Sequence, residues 1–336
     1  MAPPGEGEFD LIARLRERLP GGGERIRVGS GDDAAVVDPG GRATVTTIDA
    51  IAEGAHFTLP EFPPAAVGRK ALAAALSDLA AMGAEPGEAY IAVAAPERFS
   101  SDRLLELADG LAAVAEREGI AIAGGDLIRA PALMIAVTCV GYESEGAPLV
   151  RRRGAGAGDA VVVTGELGGA AAALELLRSG AAEGGKGEGE ELLARQLDPR
   201  PRLAAGRALA ASGATAMIDL SDGLGADAGH LARASGLRLE IELELLPVAA
   251  GIQRLAADEA AARAMVVSGG EDFELLATVP AGRIAEAEAA VAATGTGLTQ
   301  IGKVRSGEGA TIRDRGGAEV EAPGFDHMRG SRAGSG

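Results

Sequence analysis

Apolar residues recur along this chain in two rhythms. One has helical spacing. In "FPPAAVGRKALAAALSDLAAMGAEP" a proline pair comes first, and then Leu72, Leu76, Leu79 and Met82 follow at intervals of three and four, which predicts a helix. Asp78 falls on a different stripe, with Ala71, Ala74 and Ala75, where a partner backbone or a ligand can come close. "SSDRLLELADGLAAVAEREG" predicts a second helix, with a serine N-cap and Gly119 as its stop. Further helices are expected at 8–19 (Phe9, Ile12 and Leu15 or Leu19 on one face), at about 168–179, at 189–211 broken by "DPRPR", in "SDGLGADAGHLARASG" and at 281–294. The other rhythm is that of strands. It is expected at 35–37 and 43–48, and in "YIAVAAP", "IAIAGGD", "LMIAVTCVGY", "AVVVTG", "TAMIDL", "DFELLATV" and "LTQIGKV". "LRLEIELELLP" alternates strictly from Leu237 to Leu245 and predicts one half-solvated strand.

Helices and strands intermix throughout, so the fold class is α/β, or α+β, in two domains. The arginine- and glycine-rich "RRRGAGAGD" reads as the linker. It divides a domain over 1–148 from one over 149–328, with 329–336 expected as a disordered tail. "EGGKGEGEE" reads as a mobile loop.

Composition narrows the function. Of 336 residues 47% are apolar but only 2% aromatic, with no Trp, so the core must be built from Ala, Val, Leu and Ile. A formal net charge of −17 argues against nucleic acid, which needs a basic footprint. Nucleotides remain possible partners if metal ions mediate. The single cysteine, Cys139, can form no internal disulfide, and the N-terminus has no basic-then-apolar leader, so a cytoplasmic protein is expected. No uncharged apolar run reaches the ~18 residues that suggest a membrane span.

Familiar nucleotide motifs fail. "GAGAGD" lacks the G-x-G-x-x-G spacing, and "GAAEGGKG" and "GLTQIGKV" end in Gly187 and Val304 where a P-loop has Ser or Thr. The three histidines, His56, His230 and His327, lie far apart and make no metal spacing with cysteine. What repeats instead is an apolar strand running into aspartate. It occurs in "GSGDDAAVV" (Asp32, Asp33), "TVTTIDAIAEGAHF" (Asp49), "IAIAGGDLI" (Asp126) and "AMIDLSDG" (Asp219, Asp222), with Asp78 as a helical member. Any one of them alone is an ordinary turn or cap residue. Together, if they converge, they repel one another unless divalent cations intervene. Oxygen ligands without thiolates select Mg²⁺ or Mn²⁺, whose shells are commonly completed by substrate phosphates.

The segments "GEFDLIARL", "GDDAAVV", "TIDAIAEGAHF", "RKALAAALSDLAAMGAEP", "AGGDLIRAP", "MIDLSDGL", "SGGEDFEL" and "GFDHM" resemble the thiamine-monophosphate kinases in order and spacing, over about residues 6 to 328. That family belongs to the PurM-like, or aminoimidazole ribonucleotide synthetase, superfamily. The resemblance implies phosphoryl transfer from ATP to thiamine monophosphate, giving thiamine diphosphate. It also implies a homodimer whose N-terminal strands join in a dimeric barrel, with a C-terminal α/β domain. It maps ligands for several Mg²⁺ ions onto Asp33, Thr47, Asp49, Asp78, Asp126, Asp219 and Asp222, with Asp32 supporting Asp33. Asp49 and Asp222 are taken as catalytic through the metal, with no general base. Nucleotide contacts map onto Gly125, Asp126, Arg152 and Ser221, although any of Arg151, Arg152 and Arg153 can meet phosphate. Substrate contacts map onto His56 and Glu271. Where some members carry an aromatic near the C-terminus this chain has Ala322, and Phe325 is the substitute. Where the family often has T-T-D this chain has Thr47-Ile48-Asp49, and the Ile48 side chain cannot coordinate. Other superfamily enzymes fit less well. Selenophosphate synthetases want a reactive Cys near the N-terminus, and the hydrogenase-maturation member wants one at the C-terminus. A non-catalytic binder of nucleotide or thiamine phosphate is the third alternative.

Overall fold

The structure is a computed structural model. It describes residues 14–15, 17–19, 23–28, 36–37, 40–180 and 188–323. Asp32, Asp33, Phe325 and the tail 329–336 lie outside the described residues, as does most of "EGGKGEGEE". Within the expected helix at 8–19, residues 14, 15, 17 and 18 have helical backbone. The chain divides into two compact units. The first comprises Met1–Leu79, Ala84–Glu143 and Leu197–Pro199, and the second Ala80–Gly83, Ser144–Gln196 and Arg200–Gly336.

In the first unit, β1 (Ile26–Val28) and β2 (Val36–Val37) pair antiparallel. The main sheet has four strands in the order β3 (Thr44–Ala52), β6 (Met134–Tyr142), β4 (Glu85–Ala95), β5 (Ala121–Arg129). It is open, with β3 and β5 at its edges. Only β4 and β5 are parallel, and α2 (Ser101–Glu118) crosses between them. Ser100 caps α2 by accepting from the Arg103 N–H, and Gly119 ends it in the left-handed conformation. α1 (Pro64–Ala81) packs against α2 so closely that a Cβ on Gly110 would stand 1.9 Å from the Ala65 carbonyl oxygen. Registration sets the two faces of the sheet. Ile51, Ile135, Ile91, Val137 and Cys139 are buried on one face, whereas Ile48, Met134 and Ile128 are exposed on the other.

The second unit holds a seven-stranded sheet. Its order is β13 (Glu319–Val320), β12 (Gly309–Arg313), β9 (Arg238–Glu242), β11 (Leu298–Arg305), β7 (Ala160–Thr164), β10 (Leu275–Val279), β8 (Ala216–Asp219). Every residue of β7, β8 and β10 is buried, which explains their near-continuous apolar sequences. Helices α3 (Gly169–Ser179), α4 (Glu188–Leu197), α5 (Leu203–Ala211), α6 (Leu224–Ser235), α7 (Ile252–Leu255), α8 (Glu259–Ser268) and α9 (Ile284–Ala292) complete the unit. The core is Val, Leu, Ile and Ala, with Val163, Ile218, Leu231, Leu276 and Ile301 at its centre.

One expected strand is shorter than its pattern. Alternation runs to Leu245, but β9 ends at Glu242 and Leu243–Leu245 is a 3-10 turn. Both ladders flanking β9, with β11 and β12, stop at or before Glu242. Without ladder partners the pattern has nothing to align it, and Leu245 is left exposed. No helix among the described residues is long and apolar enough to cross a membrane.

Candidate active site

Strand alternation explains the first group of candidates. Thr47 pairs with Cys139 and Asp49 with Val137, so both side chains lie on the face covered by α1. Ile48 lies between them on the opposite face and is 72% exposed, so it shares no site with them. The Thr47 hydroxyl donates to Asp78 Oδ2 at 2.5 Å, joining strand to helix. Asp49 Oδ1 accepts from the Ala50 N–H at 2.7 Å. Burial pushes the Cys139 thiol up to about 12, and the charges of Asp78, Asp49 and Glu88 push it the same way. That thiol is therefore no nucleophile. Gly125 stands opposite Ile91 on β5, where a Cβ would be 2.2 Å from the Ile91 carbonyl oxygen. Asp126 is one step on, exposed, in register with Ala92 on the face opposite α1; its Oδ1 accepts from the Leu127 N–H at 2.9 Å.

His56 sits in a tight turn after β3. Its N–H donates to the Ala52 carbonyl at 3.0 Å, and its Nδ1 accepts from the Ala52 N–H at 3.2 Å. Lys70, on α1, is buried and donates to the His56 carbonyl at 3.0 Å.

The second group surrounds the loop from β8 to α6. Asp219 ends β8 and is buried. Ser221 and Asp222 do not begin the helix; they form the turn before it, and both their N–H groups donate to Asp227 Oδ2 at 3.1 Å. Asp227 lies in the first turn of α6 and holds that turn in place. Burial, then the charge of Asp219, pushes its carboxyl up to about 8; Asp222 adds to this and the two backbone N–H bonds oppose it. A second loop, Gly269–Glu274, lies alongside. The Glu271 N–H donates to the Ser221 carbonyl at 2.9 Å, and the Phe273 N–H to that of Leu220 at 3.0 Å. Glu271 and Phe273 both have left-handed backbone, with φ of 68° and 50°. Such strain at non-glycine residues persists only where neighbours fix it, and it gathers at functional sites. Here Asp272 fixes it, accepting from Gly168 and Ala170 N–H at 2.7 and 3.0 Å, while Gln196 Nε2 donates to Glu271 Oε2 at 3.0 Å.

Arg152 is exposed beyond Val150, and its carbonyl accepts from the Ser235 hydroxyl of α6 at 3.2 Å. Its charge is among those that lower the pKa of His230, together with that of Arg233, behind the larger effect of burial. Of the three consecutive arginines, Arg152 is thus the one felt on α6. Ala322 packs against α6 at Gly225, where an added Cβ would be 2.4 Å away.

The structure thus brings together Thr47, Asp49 and Asp78 in one unit, and Asp219, Ser221, Asp222 and Glu271 in the other. Asp126 projects from the opposite face of its sheet to Asp49. Among the described residues no set of three or more His, Cys, Asp or Glu side chains is close enough to hold a metal ion. Sequence reasoning gave no role to Lys70, Asp227 or Asp272. Asp227 carried a usable signal, an acid in the first turn of a helix that follows S-D-G; a buried lysine and a half-buried loop aspartate carried none.

The arrangement defines a class. Two α/β units with aspartates at strand ends match the family models "AIR synthase related protein, N-terminal domain" over residues 31–142 and "AIR synthase related protein, C-terminal domain" over 156–315. Within that class, the thiamine-monophosphate kinase of Salmonella typhimurium is 36% identical over 325 residues, covering 96% of this chain and 98% of the relative. That of Mycobacterium tuberculosis is 40% identical over 289 residues, covering 82% and 83%. The solved thiamine-monophosphate kinase of Stenotrophomonas maltophilia superposes with a TM-score of 0.82 at 36% identity, covering 91% of this chain and 96% of its own. AaThiL complexed with AMPPCP and TMP gives 0.76 at 32%, covering 97% and 99%. The chain belongs to the thiamine-monophosphate kinase family.

Proposed function

We propose that the protein transfers the γ-phosphoryl group of ATP directly to the phosphate of thiamine monophosphate, forming thiamine diphosphate and ADP. The observation that carries this reading is a pair of oxygen-only donor groups: Thr47, Asp49 and Asp78 on one face of the first sheet, and Asp219, Ser221 and Asp222 at the end of β8. A relative of 32% identity in complex with AMPPCP and TMP supports both ligands.

The donor chemistry fits Mg²⁺. Carboxylates and a hydroxyl are hard ligands, and the thiol beside them stays protonated. Burial raises the Asp227 pKa most, and the nearby charges of Asp219 and Asp222 add to it; that carboxylate repulsion is what a bound cation relieves. Asp33, Thr47, Asp49, Asp78, Asp219 and Asp222 are the proposed ligands, and Asp126, on the opposite face of its sheet from Asp49, is proposed to serve a separate ion. When bound, Mg²⁺ supplies charge neutralisation to the polyphosphate.

The residues do the rest by positioning. Asp227 fixes the backbone of Ser221 and Asp222, so the Ser221 hydroxyl meets the nucleotide in one geometry. Gly125, whose missing Cβ the Ile91 carbonyl requires, meets the nucleotide through its backbone, and Arg152 adds fixed positive charge. His56, Glu271 and Phe325 contact thiamine monophosphate. The attacking atom is a phosphate oxygen, largely deprotonated near neutral pH because its second pKa is ~6. No general base is needed, and catalysis reduces to in-line alignment and charge neutralisation.

Ile48, Ile128 and Met134 are 72%, 55% and 44% exposed on the sheet face away from α1. An apolar face of this kind suits a second copy of the chain, and a homodimer with a joined barrel is part of this proposal. A cytoplasmic location suits the lone, buried thiol of Cys139.

The test is purified protein with ATP, Mg²⁺ and thiamine monophosphate. Thiamine diphosphate and ADP are expected in equal amounts. ADP formed only with another acceptor would assign the chain to a different reaction, and binding without turnover would make it a binder.

A further inference from the structure

We infer that His56 works as a hydrogen-bond donor through Nε2–H, its neutral tautomer fixed by the Ala52 peptide and its turn held by the buried ammonium of Lys70. The inference rests on the reading above only in taking His56 as a substrate contact.

A peptide N–H can only donate. The Ala52 N–H points at His56 Nδ1 from 3.2 Å, so that nitrogen must present its lone pair. A neutral imidazole carries one proton, which is then on Nε2. The opposite ring flip would set a C–H against the same N–H and leave it without its acceptor. The backbone closes the arrangement from the other side, because the His56 N–H donates to the Ala52 carbonyl at 3.0 Å and the Gly54 N–H to that of Phe57 at 2.9 Å. A ring held in this way has its only basic nitrogen engaged, so it offers the substrate a proton donor rather than a base.

Lys70 is 1% exposed, and its Nζ reaches the His56 carbonyl at 3.0 Å. The same Nζ lies 5.1 Å from the ring centroid of Phe62, which meets Phe57 edge-on at 6.4 Å. The lysine therefore ties α1 to the His56 carbonyl and to the Phe62 ring that packs on Phe57. Glu53 accepts from Arg98 at 2.7 Å and from the Leu133 N–H at 3.3 Å. A buried ammonium that donates to the His56 carbonyl holds this turn with a charge-assisted hydrogen bond, which a neutral side chain of similar length does not make. The acceptor on the substrate is an anionic phosphate oxygen or a ring nitrogen, and either takes this donor.

The experiment is nitrogen NMR of protein labelled at histidine, at about pH 8, above the ordinary imidazole pKa of ~6.5. Only three histidines are present, and His230→Gln and His327→Gln assign the third. His56 is expected to show a protonated Nε2 and a bare Nδ1. A protonated Nδ1, or a rapidly averaging mixture, would overturn the inference. This readout requires no turnover, so it stands or falls apart from the proposed reaction. Thiamine and inorganic phosphate, added separately, show by the shifted Nε2 signal which acceptor is met; a signal moved by neither and by thiamine monophosphate neither would refute the contact. Lys70→Met is expected to raise KM for thiamine monophosphate about tenfold and to leave KM for ATP within about twofold. Lys70→Arg, which keeps a charged donor, should recover much of that loss and remains informative if the methionine variant does not fold. Equal changes in both KM values, or none in either variant, would remove Lys70 from the role.

Discussion

Replacing Glu274 with glutamine should destabilise the second unit by about 2–4 kcal/mol. Glu274 has no exposed surface and is the hub of a polar cluster. Arg202 donates to both of its oxygens, Nε to Oε2 at 2.7 Å and Nη2 to Oε1 at 2.5 Å. The Thr164 hydroxyl donates to Oε2 at 2.7 Å, and Arg195 Nη1 to Oε1 at 3.4 Å. Thr164 in turn accepts from the Leu275 N–H at 2.8 Å, so the cluster ties the end of β7 to the start of β10. Glutamine keeps the volume but removes the charge. It also replaces one acceptor by an NH₂ that must face Arg202 or the Thr164 hydroxyl, donor against donor. Removing one partner of a buried ion pair costs ~3–5 kcal/mol. The arginines are 22% and 30% exposed and regain some solvation, which lowers the figure. With no Trp and two Tyr, unfolding in urea is best followed by far-ultraviolet circular dichroism. Arg202→Met should cost a similar amount, and the double variant less than the sum by at least about 1 kcal/mol. A loss below about 0.5 kcal/mol for Glu274→Gln, or simple additivity, would refute the account.

Asp49→Asn or Asp222→Asn is expected to lower turnover at least about a hundredfold while unfolding shifts by less than about 1 kcal/mol; a near-normal rate in either would remove that residue from metal binding. Cys139, with its thiol pushed up to about 12, should resist thiol reagents at pH 8 until denaturant is added, then react once per chain. Gly110→Ala must force α1 and α2 apart, since its Cβ would lie 1.9 Å from a carbonyl oxygen, at a cost of about 1–3 kcal/mol in thermal unfolding. Burial raises the Asp272 carboxyl from 3.8 to about 7. The folded chain therefore holds a proton that the unfolded chain has released between those values, and stability from this group falls as pH rises through that window and is level above it. Asp272→Asn should flatten that part of a plot of urea midpoint against pH, and an unchanged slope would show the shift to be absent.

Much of the fold was legible because its elements are locally consistent. The spacing of Leu72, Leu76 and Leu79, the serine cap and the Gly119 stop predict α1 and α2 without knowledge of what they pack on. The buried strands announced themselves as apolar runs. The strand expected to reach Leu245 failed because a ladder is made by neighbours, and β11 and β12 do not extend past Glu242. The helices at 252–255 and 259–268 and the strands at 309–313 and 319–320 had no expectation, since their short, mixed sequences carry no strong period.

The sequence by itself determined which chemistry is available: oxygen donors at strand ends, one thiol and a net negative charge. Only the tertiary structure decided that Thr47 reaches Asp78, that Asp227 holds the turn of Ser221 and Asp222, and that a lysine of α1 sits under His56. Those partners are separated by 31, 6, 5 and 14 positions. Which groups meet across such gaps depends on sheet register and helix packing, and these are set by many buried contacts at once rather than by any local pattern.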